Sequence, residues 1–307
     1  MIYHQIPKTD LNVSTIALGT WVFSGDSWGK IDEQECIEAV SAAFDQGINF
    51  IDTAPIYGHG QAEIIVGKAI KNKRDEIILA TKCGLTWEGG RITNNLTPSS
   101  IKCEIEDSLK RLQVDYIDLY QCHWPDQNTP IEQTLNALAQ LKQKGKIRYF
   151  GISNFDIELL KRASDFTPIT TLQSQYSLLD RTVEQGTLSF CQSEGIGVLT
   201  YGSLGGGILS GKYNSPPHFQ KSDARSFFYP FYKGEEFKKA REIVRMMKEF
   251  GKPLNQIALN WVRQQKGITS VLVGCRTVEQ VIQNTRSVTW DLTEDELNRL
   301  SLCPVKA

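Results

Sequence analysis

The chain has 307 residues, with 34 Lys or Arg against 35 Asp or Glu, so its formal net charge is −1. No block of like charges suggests a nucleic-acid-binding arm, and no apolar run approaches the roughly 18 residues of a membrane span. The opening residues, MIYHQIPKTD, show neither the basic nor the apolar region of a secretory signal. The sequence argues against nucleic-acid and membrane partners, gives no indication of an oligomeric partner, and predicts a cytoplasmic protein.

Cysteine and histidine usage argues against disulfides and metal centres. The seven cysteines are scattered, odd in number and never form a C-x-x-C pair, so reduced thiols are expected. The four histidines lack the spacing of metal ligands, and no metal site is predicted. Cys83 and Cys122 are interpreted as small buried hydrophobic residues.

Short apolar runs alternate with amphipathic helical patterns along the chain. The predicted strands, in chain order, are residues 16–20, 48–53, 77–82, 116–122, 147–152, 170–176, 196–201 and 270–275. The predicted helices are residues 33–46, 61–71, 98–112, 131–144, 156–165, 182–194, 253–265 and 277–285. Two of these helices begin at the pairs Thr97-Pro98 and Thr129-Pro130, where proline in the first turn loses no needed hydrogen bond.

Eight apolar strands joined by helices imply parallel pairing with both faces of the sheet covered. A doubly wound open sheet is the alternative, but it normally carries a glycine fingerprint after its first strand, and TWVFSGDSWG lacks one. The glycine cluster follows the seventh strand instead, where barrels often bind phosphate. It consists of Gly202, Gly205, Gly206, Gly207 and Gly211. The sequence therefore predicts one (β/α)8 TIM barrel domain over residues 1–307.

Two segments interrupt the alternation. Residues 207–234 are too long for an ordinary link between a strand and a helix, and they are rich in Phe and Tyr. This segment is predicted to be a lid or binding loop. Residues 83–97, which are rich in Gly and Asn, are predicted to wall the same mouth of the barrel.

Ionisable residues fall at the carboxyl ends of three consecutive predicted strands. Asp52 ends the apolar run in NFIDTAPIYGH and Tyr57 follows five residues later, while Lys82 and His123 end the next two strands. Each has an ordinary explanation on its own, since aspartate often caps turns and single histidines are usually hydrogen-bonded interior residues. Because the functional residues of a barrel lie at this face, the four together are predicted to form an active site.

The charges of this group suggest acid–base chemistry at a substrate oxygen. The ammonium of Lys82 is expected to lower the pKa of the Tyr57 phenol, and Asp52 is expected to keep Lys82 charged. His123 is expected to donate a hydrogen bond where negative charge develops on the substrate. No G-x-S-x-G sequence indicates a nucleophilic serine, so protonation of a developing alkoxide is the predicted role.

Seven stretches resemble, in order and spacing, the motifs of the aldo-keto reductases, and they cover nearly the whole chain. They are IALGTW (16–21), FIDTAPIYGHGQAE (50–63), ILATKCG (78–84), DSLKRLQVDYIDLYQCHWPD (107–126), GKIRYFGISNF (145–155), LTYGSLGGGILSGKY (199–213) and VGCRTVEQVIQN (273–284). The chain is similar in particular to the bacterial general-stress-protein branch, which is related to potassium-channel β subunits. The resemblance implies a (β/α)8 barrel that transfers hydride between NADPH and an aldehyde or ketone. It also implies a catalytic tetrad of Asp52, Tyr57, Lys82 and His123, with Tyr57 as general acid.

The resemblance further implies a set of cofactor-binding residues. They are Ser153, Asn154 and Gln173 for the nicotinamide carboxamide, Tyr201 for stacking on its ring, Leu204, Gly206 and Lys212 for the pyrophosphate, Gly274, Arg276, Gln280 and Asn284 for the adenosine end, and Gly19, Thr20, Trp21, Asp52 and Gly202 beside them. Arg276 at a helix N-terminus would receive a 2′-phosphate, so NADP(H) is the preferred cofactor and NAD(H) the alternative. Two departures from the family pattern concern this set: Gly202 replaces the usual serine, and VGCR lacks the proline of the common IPGAR version.

Trp21, Trp87 and Trp124 lie in loops after the first, third and fourth predicted strands, and they are predicted to line an apolar pocket for a small-molecule carbonyl substrate. Two other functions stay open on the sequence alone. One is an NAD(P)-linked dehydrogenase of a sugar or polyol, and the other is a cofactor-sensing regulatory subunit like the channel-associated relatives.

Overall fold

The computed structural model describes residues 1–25 and 27–303, and within them eight parallel strands close into a barrel. In chain order the strands are β1 (Tyr3–Gln5), β2 (Asn12–Ser14), β3 (Ile16–Gly19), β4 (Phe50–Asp52), β5 (Ile78–Cys83), β6 (Leu85–Glu88), β7 (Arg91–Asn94), β8 (Ile117–Cys122), β9 (Ile147–Ser153), β10 (Thr171–Gln175), β11 (Gly197–Tyr201) and β12 (Ile268–Gly274). The barrel consists of β3, β4, β5, β8, β9, β10, β11 and β12, with β12 pairing back onto β3. The predicted (β/α)8 fold is confirmed.

Helices cover the outside of this barrel. They are α1 (Glu33–Asp45), α2 (Gln61–Ile70), α3 (Pro98–Leu112), α4 (Ile131–Gln143), α5 (Ile157–Phe166), α6 (Thr187–Glu194), α7 (Ala224–Phe227), α8 (Gly234–Lys248), α9 (Leu254–Arg263), α10 (Val278–Thr285) and α11 (Glu294–Ser301). The strands are apolar on both faces because alternate side chains pack inside the barrel and against these helices.

A hairpin of β1 and β2 covers the amino-terminal end of the barrel. Its apolar side chains Ile6, Leu11 and Val13 are at most 1% exposed and pack with the side chains inside the barrel, such as Phe50 of β4. These two strands are not predicted from the sequence, because runs of three residues are too short to show an alternation of apolar and polar side chains. The hairpin leaves the carboxyl-terminal end of the barrel as the open one.

The two segments that interrupt the alternation contain regular structure. Within residues 83–97, β6 and β7 form an antiparallel hairpin around Gly89 and Gly90, whose φ angles of 54° and 80° suit a tight turn between strands. Within residues 207–234, the short helix α7 and a 3₁₀ turn at Pro230–Tyr232 precede α8. The elements β6, β7, α7 and α8 are not predicted from the sequence.

Helix boundaries differ most from prediction in residues 182–194. The structure has a 3₁₀ turn at Thr182–Glu184, and α6 begins only at Thr187, because Gly186 with φ of 91° interrupts the helix. Helix α11 was not predicted, although its capping box between Thr293 and Glu296 is a sequence signal for a helix start.

Across the described ranges, no helix combines the length and hydropathy that a bilayer crossing requires. No group of three or more His, Cys, Asp or Glu side chains in those ranges is placed to hold a metal ion. All seven cysteines are free, and Cys83 and Cys122 are buried side by side in the register of β5 and β8.

Candidate active site

Lys82 is the central charge at the open end of the barrel. Its buried Nζ lies 2.5 Å from Asp52 Oδ1, 3.0 Å from the Thr53 carbonyl oxygen and 3.3 Å from Tyr57 Oη. Burial lowers the pKa of Lys82, and the charge and hydrogen bond of Asp52 oppose that change. Asp52 is therefore the partner that favours the charged form of this amine.

Tyr57 and His123 meet above this ion pair. A turn after β4, in which the Tyr57 amide donates to the Ala54 carbonyl at 3.1 Å, returns the phenol over the strand end. The rings of Tyr57 and His123 contact edge to face, with centroids 5.7 Å apart. The structure thus brings the four residues of the predicted tetrad together.

Burial determines the protonation of the phenol and the imidazole. It raises the pKa of Tyr57 well above its usual value, and the negative charge of Asp52 adds to the rise. It lowers the pKa of His123 well below its usual value, with a further contribution from the positive charge of Lys82. The expectation of a lowered Tyr57 pKa is wrong for this structure, because desolvation of the phenolate and the negative charge of Asp52 both raise it. At neutral pH the site presents a protonated phenol and a neutral imidazole.

Two glutamines hold the second oxygen of Asp52. Gln173 Nε2 lies 2.9 Å from Asp52 Oδ2, and Gln121 Nε2 lies 3.3 Å from the same oxygen. Gln121 was not predicted, although it is fully buried and stands opposite Lys82 in the register of β5 and β8. The available signal was an uncharged polar residue within a predicted strand that should be buried on both faces. The two amides leave Oδ1 of Asp52 to Lys82.

Asn154 connects three strand ends at one side of the site. Its Nδ2 donates to the His123 carbonyl at 2.9 Å, and its Oδ1 accepts the Tyr201 hydroxyl at 2.7 Å. Its φ of 62° lies in the left-handed region, which asparagine visits more readily than most residues. Ser153 Oγ is 3.0 Å from Asn154 Nδ2, so Ser153, Asn154 and Tyr201 form one hydrogen-bonded cluster.

The loop after Lys82 is held by a carboxylate with a raised pKa. Both carboxylate oxygens of Glu104, on α3, accept the Gly84 amide, at 3.0 and 3.2 Å, and Ser100 Oγ donates to Oε1 at 2.9 Å. Burial raises the pKa of Glu104 to about 7. Because the folded state binds this proton more tightly than the unfolded chain, the free energy of unfolding falls as pH rises from about 4.5 to about 7.

Replacing Glu104 with Gln removes this titration. Wild type should lose about 2 kcal/mol of its free energy of unfolding between pH 5 and pH 8 through this titration. Because Glu104→Gln lacks the titrating group, its free energy of unfolding, measured relative to that of wild type, should rise by about 2 kcal/mol over the same range. Urea unfolding at the two pH values measures the difference. Glu106→Gln, at an exposed position of the same helix, is the matched control and should show no such trend. A Glu104→Gln difference independent of pH would show that this carboxylate does not titrate near neutrality.

A cavity of about 670 Å³ opens at the carboxyl ends of the strands, and its size suits a small-molecule site. Every residue that the resemblance assigns to the cofactor borders it, namely Gly19, Thr20, Trp21, Asp52, Ser153, Asn154, Gln173, Tyr201, Gly202, Leu204, Gly206, Lys212, Gly274, Arg276, Gln280 and Asn284. Tyr57 and His123 also border the cavity, whereas Lys82 lies beneath them and is fully buried. Residues from six of the seven stretches that resemble the family motifs therefore border one cavity.

The three tryptophans predicted to line a substrate pocket do not share one position. Trp21 and Trp124 border the cavity, and Trp87 does not. The Trp87 ring packs against the ring of His59, which itself borders the cavity, with centroids 5.3 Å apart. Trp87 therefore contacts a residue of the cavity wall, and its predicted role in the substrate pocket stays a prediction.

The predicted lid closes one side of the cavity. The Ala224 amide donates to the Ser27 carbonyl at 2.7 Å, which fastens the lid to the loop after β3. Arg225 pairs with Asp223 at 2.5 Å, and both Arg225 and Phe228 border the cavity. These lid residues were not predicted, because a contact between loops that are distant in sequence leaves no local pattern.

The barrel, its cavity and the buried acid–base group together define a TIM-barrel protein with an acid–base site at the carboxyl ends of its strands. A family model described as the aldo/keto reductase family matches residues 15–303. The chain belongs to that family, whose members use nicotinamide cofactors.

The names of relatives in this family refer to different substrates and cofactors. The aldo-keto reductase YhdN of Bacillus subtilis (strain 168) is 41% identical over 96% of this chain and 91% of that protein. The NADH-specific methylglyoxal reductase of Escherichia coli (strain K12) is 35% identical, with 93% of each chain covered. The solved structure of the glycerol dehydrogenase AKR11B4 from Gluconobacter oxydans has a TM-score of 0.88 and 37% identity, over 97% of this chain and 94% of that one.

The residues around the cavity fit a nicotinamide dinucleotide. Trp28, which borders the cavity, has a buried Nε1 without a hydrogen-bond partner among the described residues, and a ligand oxygen would satisfy it. Lys212 and Arg276 supply the positive charge that phosphates require. Gly206 lets the backbone pass close to the Tyr229 ring, where a Cβ atom would come within 2.8 Å of that ring.

Proposed function

We propose that the protein reduces an aldehyde or ketone to an alcohol with NADPH, and that Tyr57 is the proton donor. The observation that carries this proposal is the contact of 3.3 Å between Tyr57 Oη, at the cavity, and the buried Lys82 Nζ. A reduced nicotinamide, when bound, supplies a hydride to the carbonyl carbon. The chain itself must then bind the carbonyl oxygen and deliver a proton to it.

Tyr57 and His123 act together on that oxygen in the proposed mechanism. The raised pKa of Tyr57 keeps its proton in place until negative charge develops on the substrate. His123, neutral because burial lowers its pKa, donates a hydrogen bond from one ring nitrogen to the same oxygen. Lys82 stabilises the phenolate that remains, and Asp52 at 2.5 Å keeps positive charge on Lys82.

The cofactor is proposed to lie along the cavity with its nicotinamide near Tyr57. Ser153 and Asn154 would hold the carboxamide, and Tyr201 would stack on the ring. Gln173 uses its amide nitrogen on Asp52, so its amide oxygen is the group that would accept from the carboxamide. The loop residues Leu204, Gly206 and Lys212 would follow the pyrophosphate, and Gly274, Arg276, Gln280 and Asn284 would hold the adenosine end.

Arg276 is the proposed basis of a preference for NADPH over NADH. Its backbone amide donates to Gln280 Oε1 at 2.8 Å, and its Nη1 donates to the Trp28 carbonyl at 3.1 Å, so its guanidinium is held beside the cavity. A charge-assisted contact of this kind with a 2′-phosphate changes affinity by about tenfold to a hundredfold. Because the relative from Escherichia coli is named as NADH-specific, the preference for NADPH over NADH is tested separately from the reaction.

Replacing Arg276 with Leu is expected to weaken NADPH binding about tenfold to a hundredfold, with little effect on NADH. Melting temperatures at graded concentrations of each cofactor measure the two affinities. Arg286→Leu, at an exposed position outside the cavity, is the control. Equal stabilisation of wild type by NADPH and NADH, or an unchanged ratio in Arg276→Leu, would remove the basis for the preference.

The proposed reaction is tested by following the absorbance of NADPH in the presence of aldehydes and ketones. Consumption of NADPH that depends on the carbonyl compound supports the proposal. A second candidate function, oxidation of a sugar or polyol, is suggested by the similarity to a glycerol dehydrogenase. Reduction of NADP⁺ by glycerol, without turnover of any carbonyl, would favour that function. Binding of NADPH without turnover in either direction would favour a cofactor-sensing regulatory subunit.

A further inference from the structure

We propose that the substrate carries an apolar chain, and that Ile92 and Phe227 bind the outer part of this chain at the cavity mouth. This inference rests on the proposed carbonyl reduction and adds the chemical class of the compound. It also distinguishes this chain from relatives whose names refer to methylglyoxal and glycerol, which are small and polar.

The inner wall of the cavity near Tyr57 is apolar and largely aromatic. The Trp21 ring stacks on Tyr57 with centroids 6.1 Å apart, and it contacts the Phe228 ring of the lid at 5.2 Å. Ile56, Leu85 and Trp124 complete this wall. A carbonyl group placed at Tyr57 therefore has apolar surface for the atoms next to it.

The apolar surface continues outward onto the hairpin of β6 and β7. Ile92 is directly opposite Trp87 in the hairpin, so it lies on the same face as Leu85. Ile92 is 54% exposed and yet borders the cavity. The hairpin is anchored, because Asn94 Nδ2 donates to the Pro125 carbonyl at 2.7 Å beside the loop that carries His123.

The lid supplies the second apolar side chain at the mouth. Phe227, in α7, also borders the cavity and is 66% exposed. The helix that carries it is anchored at its first residue by the hydrogen bond from the Ala224 amide to the Ser27 carbonyl. Exposed apolar residues are common when isolated, but Ile92 and Phe227 extend one apolar wall from two separate segments. An apolar ligand chain would remove both side chains from water.

The charged groups around the cavity do not favour a charged or polyhydroxylated substrate. Asp52 is engaged by Lys82, and Arg225 is paired with Asp223. Lys212 and Arg276 lie among the residues proposed to hold the cofactor phosphates. Apart from the imidazoles of His59 and His123, the described wall from Tyr57 to the mouth offers mainly dispersion and hydrophobic contacts.

The proposal predicts how kcat/KM depends on chain length for butanal, hexanal and octanal. Full burial of a methylene is worth about fourfold, and the half-exposed mouth should give about twofold for each added methylene. The double variant Ile92→Ser with Phe227→Ser should lower the ratio of kcat/KM for octanal over butanal about tenfold. Phe166→Ser, which removes an exposed phenylalanine of α5 outside the cavity, should keep the wild-type ratio and activity.

A binding measurement separates this inference from the proposed reaction. Octanamide cannot be reduced as an aldehyde is, and in the presence of NADP⁺ it should raise the melting temperature of wild type more than that of the double variant. If wild type reduces butanal but gains nothing from longer chains, the apolar-chain site is wrong and the proposed reaction stands. If no carbonyl compound is reduced while octanamide still distinguishes wild type from the double variant, the reaction is wrong and the binding site stands.

Discussion

Tyr57→Phe is expected to lower kcat for carbonyl reduction by about a thousandfold, the scale of general acid catalysis by a positioned side chain. The variant removes one hydroxyl group and keeps the ring that packs against Trp21 and His123. Lys82 retains its contacts with Asp52 and Thr53, so the ion pair beneath the ring is preserved. Steady-state consumption of NADPH measures the loss, and melting with NADPH should show that cofactor binding survives.

Tyr176→Phe is the matched control for this experiment. Tyr176 is equally a buried tyrosine, and its hydroxyl donates to Glu184 at 2.6 Å, but it lies outside the cavity. Because the acceptor is a carboxylate, we expect a cost in stability of about 1.5–3 kcal/mol and activity close to wild type. If Tyr57→Phe keeps the wild-type kcat, the proton comes from another group, and His123 becomes the first residue to replace.

The parallel barrel explains why so much of this site was accessible from sequence. All barrel strands have their carboxyl ends at the same face, so the residues that end predicted strands had to converge. Asp52, Lys82 and His123 were identified on this basis, and the structure places them within one cluster. Their convergence follows from the topology of the barrel. The spacing of apolar residues in strands and helices is sufficient to predict that topology.

Other features depend on distances between side chains, which the spacing of apolar residues along the sequence does not predict. Gln121 was missed because its contact with Asp52 follows from the register between β5 and β8 and from the inward direction of its side chain. The expected direction of the Tyr57 pKa was wrong because burial of the phenol, against which Trp21 packs, and the charge of Asp52 both raise it. A sequence shows which charged residues are close to one another along the chain. It does not show how far each charged side chain is exposed to water.

Glu63 shows the same limitation at the start of a helix. In the sequence GHGQAE it has the position of an ordinary acidic residue in a first helical turn, where carboxylates are usually solvated. In the structure it is fully buried, and its Oε1 accepts the Thr81 hydroxyl at 2.6 Å. Its charge also contributes to raising the pKa of Lys82, so this buried carboxylate supports the site indirectly.

Arg111→Met is expected to lower the free energy of unfolding by about 3–5 kcal/mol, because it leaves a buried carboxylate without its cation. Arg111 Nε, on α3, lies 2.6 Å from Glu63 Oε2, on α2. Urea unfolding measures the loss. Arg162→Met is the control: Arg162 makes two contacts with Glu132, at 2.8 and 3.0 Å, but its side chain is 60% exposed. A pair of that kind is worth at most about 1 kcal/mol.

The double variant Glu63→Gln with Arg111→Met separates charge from packing. The amide oxygen of glutamine can still accept the Thr81 hydroxyl, and no uncompensated charge remains in the interior. We therefore expect the double variant to be more stable than Arg111→Met alone by about 2 kcal/mol, although it carries one substitution more. If the double variant is no more stable, the loss arises from packing of the Arg111 stem, which lies close against Gly60. In that case it is the arginine stem, and not the buried charge, that holds α3 against the turn carrying Tyr57.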